Sequence, residues 1–271
     1  MGARTRLPLT DEDDMTYRVE IKDLVAQYPY KINLGYSPCS TWDRLVLSDG
    51  DPRMLSPFMK REWASADIAA VPALVGSPPL ACDAEIADLF ALKALREPLK
   101  QQIEAEARPG WGLHTMLLER LAEAGVDMGQ PLGGRTAGEV LAELCDLASN
   151  DAKCLVVNQK ALFNRQRPWQ AAPGIHPMFV PGHPSYPSGH STTSHALAWT
   201  LGLVLAPTRY RALGIAFSDC ASGVAQRREI AGVHYRSDTV AGMALARFIV
   251  DRYEQSAEFR RKYTDVIGAM R

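Results

Sequence analysis

Three short stretches of this chain carry residue types that can act together on an anion. In Lys160-Ala-Leu-Phe-Asn-Arg-Gln-Arg167-Pro168, two cations stand seven residues apart, two turns of a helix, so both can reach one anion from one face. A solvated basic face has the same composition. In Pro187-Ser188-Gly189-His190, a proline and a glycine set a turn that opens into an apolar run. The unpaired N–H groups of a helix starting there, with the Ser188 hydroxyl and the Gly189 amide, make a seat for phosphate oxygens. They make an ordinary capped helix start equally well. In Arg228-Glu-Ile-Ala-Gly-Val-His234-Tyr-Arg-Ser-Asp238, histidine and aspartate are four apart. That spacing lets the carboxylate hold one ring N–H and leaves the other nitrogen aimed and more basic, as a nucleophile or base requires. A buried His/Asp hydrogen bond without catalysis uses the same pair.

Other chemistries fit less well. The motif GxSxG is absent, so Ser188 makes a poor hydrolase elbow. Zinc at His183, His190 and His195 lacks a carboxylate or cysteine at suitable spacing, and no metal is expected. His195 lies five residues beyond His190, turned away from it round a helix, and reads as a packing residue. The five cysteines are widely spaced with no CxxC pair, which suits small core residues rather than a disulfide framework. The acidic run Asp11 to Asp14 reads as a solvated face.

The elements that must position these residues are helical. Residues 1–75 are irregular in pattern and are expected to form an N-terminal extension. From 76 to 271 apolar residues recur at helical spacing, with little strand-like alternation. The expected helices are Asp83 to Ala107, kinked or divided at Pro98, then Gly112 to Ala124, Thr136 to Ser149 and Asp151 to Gln166. Three more follow, Ser191 to Leu205, Arg209 to Glu229 and Ser237 to Glu254. Thr136 with Glu139 forms a capping box, and Pro207 and Gly232 fall where helices should end. Between Trp169 and Pro187 five prolines and two glycines predict a long loop, a common seat of function. His183 and Tyr186, on this loop, are candidates for a pocket rim.

Composition sets the outer limits. Thirty basic against thirty-one acidic side chains leave no global field to recruit nucleic acid or an anionic membrane surface. The start turns acidic where a secretory signal would need its apolar stretch, so the chain reads as cytoplasmic, or as periplasmic where a leader has been removed. The longest apolar runs reach about half of the ~20 residues a membrane span needs.

Taken in order, KxxxxxxRP, PSGH and RxxxxxHxxxD resemble the signature of the type 2 phosphatidic acid phosphatase (PAP2) superfamily. Eighteen residues separate the first two motifs, and thirty-seven lie between His190 and Arg228. That superfamily includes soluble bacterial class A acid phosphatases, lipid phosphatases and vanadium-dependent haloperoxidases. The flanks from Gly76 to the tail AEFRRKY look most like the class A group. The resemblance implies an all-α helical-bundle core and a metal-independent phosphomonoester hydrolase that needs no cofactor. In it His234 attacks phosphorus, Asp238 orients His234, and His190 serves as acid and then base. Lys160, Arg167, Ser188, Gly189 and Arg228 bind the phosphate oxygens. It further implies a small phosphomonoester substrate and a homodimer. Alternatives are a haloperoxidase with vanadate as cofactor on His234, where in the phosphatase vanadate is an inhibitor, and a non-catalytic anion-binding module. The third motif usually begins Ser-Arg, and here Arg227 takes the serine's place. Arg236 stands where many relatives have proline and is expected to add positive charge at the pocket rim.

Overall fold

The computed structural model describes residues 55–59, 75–79, 83–108, 112–172 and 174–270. Most of the expected N-terminal extension, including Asp11 to Asp14 and Cys39, lies outside the described residues, as does Cys82 beyond it. The part that is described packs into the core rather than standing apart from it. Ser56 donates its backbone N–H (2.6 Å) and its hydroxyl (2.6 Å) to the buried Asp151 carboxylate. Phe58 sits edge-on to Tyr253, Phe259 and Tyr263, at 6.2, 5.3 and 6.2 Å between ring centroids.

The described fold is all-α apart from one small hairpin. Helix α1 (Asp83–Leu92) runs through a 3-10 turn (Lys93–Leu95) into α2 (Arg96–Glu106). The break precedes Pro98, contrary to expectation. Pro98 lies in the first turn of α2, where its missing N–H has no intrahelical partner to lose. Helix α3 (Leu113–Glu123) buries Leu113, Leu117 and Leu121, one stripe at i, i+4 and i+8. Strands β1 (Pro131–Leu132) and β2 (Arg135–Thr136) pair antiparallel around Gly133 and Gly134, whose φ values of 59° and 86° suit a two-residue hairpin turn. The sequence reading did not anticipate this hairpin.

Helix α4 (Ala137–Phe163) joins the two helices expected at Thr136 to Ser149 and Asp151 to Gln166 into one of 27 residues. Asp151 disfavours helix when its carboxylate competes for local backbone N–H groups. Here Ser56 and the Tyr253 hydroxyl occupy it, and the helix runs through. The Thr136–Glu139 capping box forms as expected. A one-turn helix, α5 (Pro168–Ala171), opens the proline-rich loop.

Helix α6 (Gly189–Leu205) is the axis of the bundle, packed on α4, on α7 (Leu213–Ile230) and on α8 (Arg236–Gln255). Its buried side chains point in every direction, so it lacks the polar stripe of a surface helix. Close approach is bought with glycine at two crossings. The Cα of Gly214 on α7 lies 3.6 Å from where a Cβ on Gly202 of α6 would stand. A Cβ on Gly242 of α8 would lie 2.8 Å from the Ser188 carbonyl oxygen at the start of α6. After α8 a helical turn (Ala257–Phe259), a π-type turn (Arg260–Thr264) and a last turn (Asp265–Gly268) cap the core with Phe259, Tyr263 and Ile267. No described helix is long and apolar enough to cross a membrane.

Candidate active site

The three motifs meet at one end of the bundle, around His234. Its Nδ1 lies 3.0 Å from Asp238 Oδ2, and its Nε2 lies 3.0 Å from Arg167 Nη1. A ring that donates Nδ1–H to the carboxylate presents the Nε2 lone pair to the guanidinium. His234 precedes α8, and Asp238 is in its first turn, where the carboxylate also accepts the Tyr235 backbone N–H at 2.9 Å. One aspartate thus caps the helix and aims the imidazole.

Arg167 reaches this ring by a different route from the one its spacing suggests. Helix α4 ends at Phe163, and Asn164 turns the chain with φ 45°. Lys160 is therefore in the last turn of α4, while Arg167 comes from the extended backbone beyond it and caps α5. The two cations do not share a helix face, yet both are buried and converge on the loop that carries His183 to Ser185. Lys160 Nζ donates to the Pro184 and Ser185 carbonyls at 2.6 and 3.1 Å. Arg167 Nε donates to the His183 carbonyl at 3.0 Å, and its Nη2 lies 2.9 Å from His183 Nδ1. His183 is thus a partner of Arg167, not merely a loop residue.

His190, in the first turn of α6, places Nε2 3.1 Å from the Glu106 carbonyl. Burial, then the charge of Arg228, then those of Arg167 and Lys160, push its pKa down to about 4. Burial first and Arg167 second hold His234 far below the ordinary imidazole range, against the pull of Asp238. Both rings are neutral near pH 7; both feel Arg167 and Lys160, and His190 feels Arg228 as well. For Asp238, burial would raise the carboxyl, but Arg165, His234 and Ser185 together hold it well below the usual carboxylate range.

Arg228, at the end of α7, is 1% exposed. Burial lowers its pKa to about 10, with Glu106 opposing. One nitrogen, Nη2, pairs with Glu106, while Nε and Nη1 are buried and make no hydrogen bond. Unmet N–H groups on a buried guanidinium are costly unless an anion completes them. Arg227 also pairs with Glu106, at 2.6 Å, so the residue in the usual serine position meets a carboxylate from α2.

Ser188 is fully buried, accepts the Ser191 N–H at 3.3 Å through Oγ, and donates its own N–H to the Asp238 carbonyl at 2.9 Å. It caps α6 and ties that helix start to α8, while Gly189 begins the helix beside it. Two expectations need correction. Tyr186 is not at a rim: it is 2% exposed, stacked edge-on to Phe163, with its hydroxyl on the Val75 and Gly76 carbonyls. Arg236 points away from the His234 cluster. It pairs with Glu229 at 3.3 Å and lines a separate cleft with Glu85, Asp88 and Val240. His195 packs in the core, with Nδ1 2.8 Å from the Ser191 carbonyl and its ring against Trp199.

Four residues of the site escaped the sequence reading. Arg165 pairs with Asp238 at 2.6 Å and with Glu85 at 3.1 Å, sandwiched near the ring of Tyr235. Glu85 in turn receives the Ser237 N–H at 2.6 Å. Ser185 donates to Asp238 Oδ2. Glu106 joins Arg227, Arg228 and His190. Only Arg165 left a trace, as a third cation beside Lys160 and Arg167.

The site is thus two histidines held neutral among three buried cations at one end of an α-helical bundle. Residues 147–253 match the sequence model of the PAP2 superfamily. Two curated relatives are similar to a shorter stretch, the lipid A 1-phosphatases of Rhizobium etli and Rhizobium johnstonii. Each is 43% identical over 60 residues, 22% of this chain. The stretch covers 24% and 22% of their respective lengths, so the chain spans about a quarter of the relatives it matches.

Proposed function

We propose that the chain hydrolyses phosphomonoesters through a phosphohistidine on His234, without a metal ion. The observation that carries this reading is His234 itself, buried, neutral, fixed by Asp238 at Nδ1 and facing Arg167 with Nε2. A substrate phosphate displaces Arg167 from the ring and takes its N–H groups, together with Lys160 and the two unmet donors of Arg228. Ser188 and the Gly189 N–H complete the seat at the start of α6. Nε2 attacks phosphorus in line, and charge on the equatorial oxygens is neutralised by three fixed cations, the service a metal supplies in other phosphatases. His190 gives its proton to the departing alkoxide and then takes one from the water that cleaves the phosphohistidine.

The low pKa of His190 decides where its proton comes from. In the free protein the ring is neutral above about pH 4. The proton therefore enters with the substrate, as the monoanion of an ester whose second ionisation is near pH 6. A log plot of kcat/KM is expected to fall as pH rises beyond about 6. A rate that climbs steadily to pH 9 overturns the assignment.

The matched relatives are named for a lipid phosphate, and the motif flanks resemble soluble acid phosphatases, so the substrate test spans both. p-Nitrophenyl phosphate, a sugar phosphate and a detergent-dispersed lipid phosphomonoester are compared, each with and without EDTA. Turnover of at least one, unchanged by the chelator, is expected. His234→Ala should remove all turnover. His190→Ala should keep the first burst of nitrophenol, because that leaving group needs no proton, and lose hydrolysis of alkyl esters. An active His234→Ala protein refutes the nucleophile.

A further inference from the structure

Glu106 sits where a phosphate site has least use for a carboxylate. It is 4% exposed, at the last position of α2, three residues after the fully buried Ile103. Ile103 packs with Ile230, Ala231 and Val233, which presses that face of α2 against the end of α7. The Glu106 side chain then lies between two arginines. Oε1 accepts from Arg227 Nε at 2.7 Å and Nη2 at 2.6 Å, and Oε2 accepts from Arg228 Nη2. The carbonyl of the same residue stands 3.1 Å from His190 Nε2. One residue of α2 therefore touches both a cation of the proposed oxyanion seat and the proposed acid.

The Arg228 guanidinium is held on three sides. Glu106 takes Nη2, the Ile103 carbonyl lies 3.4 Å from the same nitrogen, and the Phe179 ring lies 5.4 Å from the guanidinium carbon. What remains, Nε and Nη1, is buried and unmet. This is the orientation a bound oxyanion needs, and a lone carboxylate achieves it at a cost. Its negative charge cancels that of Arg228 and repels the ligand across a medium of low dielectric. Arg227, 14% exposed at its side chain, returns the balance of the three groups to one positive charge.

We propose that Glu106 is a positioning residue for Arg228 and His190, and that Arg227 is its charge partner, present so that the carboxylate does not weaken anion binding. The inference rests on the oxyanion seat of the preceding reading but not on turnover.

The test reads binding directly. Inorganic phosphate and, separately, vanadate are titrated calorimetrically into the full chain at pH 7, in the native protein and in Arg227→Gln, Arg227→Lys, Glu106→Gln and the double variant Arg227→Gln/Glu106→Gln. Removing the Arg227 charge alone should weaken phosphate binding by about tenfold or more, as loss of one nearby charge does in a partly buried site. Arg227→Lys should stay within about threefold of native. The double variant should recover most of the loss, because both charges are gone together, whereas two merely structural defects would add. Glu106→Gln should bind phosphate more tightly than native, because the repelling charge is gone, and, for any substrate turned over, lower kcat without raising KM.

A double variant that binds no better than Arg227→Gln overturns the charge pairing, and so does an Arg227→Lys protein as weak as Arg227→Gln. A Glu106→Gln protein with native kcat overturns the positioning role. If the native protein binds phosphate and hydrolyses nothing, the hydrolytic reading falls and the binding comparison still decides the pairing. Native protein that binds neither oxyanion overturns both.

Discussion

Asp238 is where four donors converge: Arg165, Ser185, His234 and the Tyr235 backbone N–H. The motif made the His234 partnership legible, because i and i+4 neighbours meet at a helix start. The Arg165 partnership was not legible, since nothing local links residues 73 positions apart. Arg165 is also what keeps Asp238 ionised in a fully buried place. Arg165→Met should therefore leave a buried carboxylate without its ion pair, a loss of about 3–5 kcal/mol. Urea unfolding should show a lower midpoint, and kcat should fall through misaimed His234 even where the variant is folded. Native stability in that variant would mean that Ser185 and the backbone suffice to hold the charge. Arg167 reaches His234 without the shared helix face that its spacing from Lys160 suggested. The helix-face argument fails at Asn164, but the chain beyond it returns the cation to the same point.

At the scale of elements, the N-terminal turn of α6 must sit against the first turn of α8, because one carries His190 and the other Asp238. The contact is drawn tight by the Ser188 N–H on the Asp238 carbonyl, the Ser191 hydroxyl on the Thr239 carbonyl at 2.8 Å, and the bare face of Gly242. A Cβ at Gly242 would stand 2.8 Å from both the Ser188 carbonyl oxygen and the Ser191 Cβ, and neither is the end of a flexible chain. Gly242→Val should cost about 1–3 kcal/mol of stability by overpacking. It should also lower kcat more than a surface change of equal stability cost, since it shifts His190 relative to His234. Equal stability and activity in Gly242→Val would show that the two helices slide freely there. The helix ends at Pro207 and Gly232 and the capping box at Thr136 were legible because their causes are local. The merging of two expected helices into α4 was not, because the partner that satisfies Asp151 comes from residue 56.

Across the whole molecule, the buried neutral histidines set the acid limit of stability. Burial lowers His183, His190, His195 and His234, while in the unfolded chain each titrates near 6.5. Below that value the unfolded state binds more protons than the native one, so stability is full above about pH 6.5 and falls as pH drops. The carboxylates add a second loss. Burial opposes ionisation of Glu143, but Lys262, Tyr263 and Arg135 hold it down to about 2, so its contribution is present above about 4.5 and lost toward 2. Thermal melts from pH 8 to pH 4 should show a plateau and then a steady fall starting near 6.5. Added phosphate should raise the melting temperature across this range by mass action on the native state. A melting temperature unchanged from pH 7 to pH 5 would mean that the histidines are not held neutral.

The sequence by itself determined the all-α class, the bounds of most helices and the three motifs that meet around His234, because periodicity, caps and short motifs act over a few residues. It also placed His195 in the core from its angle on the helix. The tertiary structure alone decided how the charges balance: Glu106 between Arg227 and Arg228, Arg165 on Asp238, and Arg236 turned to another cleft. Those outcomes depend on which helix ends are pressed together. Burial then makes each charge find a partner, and that partner can come from anywhere along the chain.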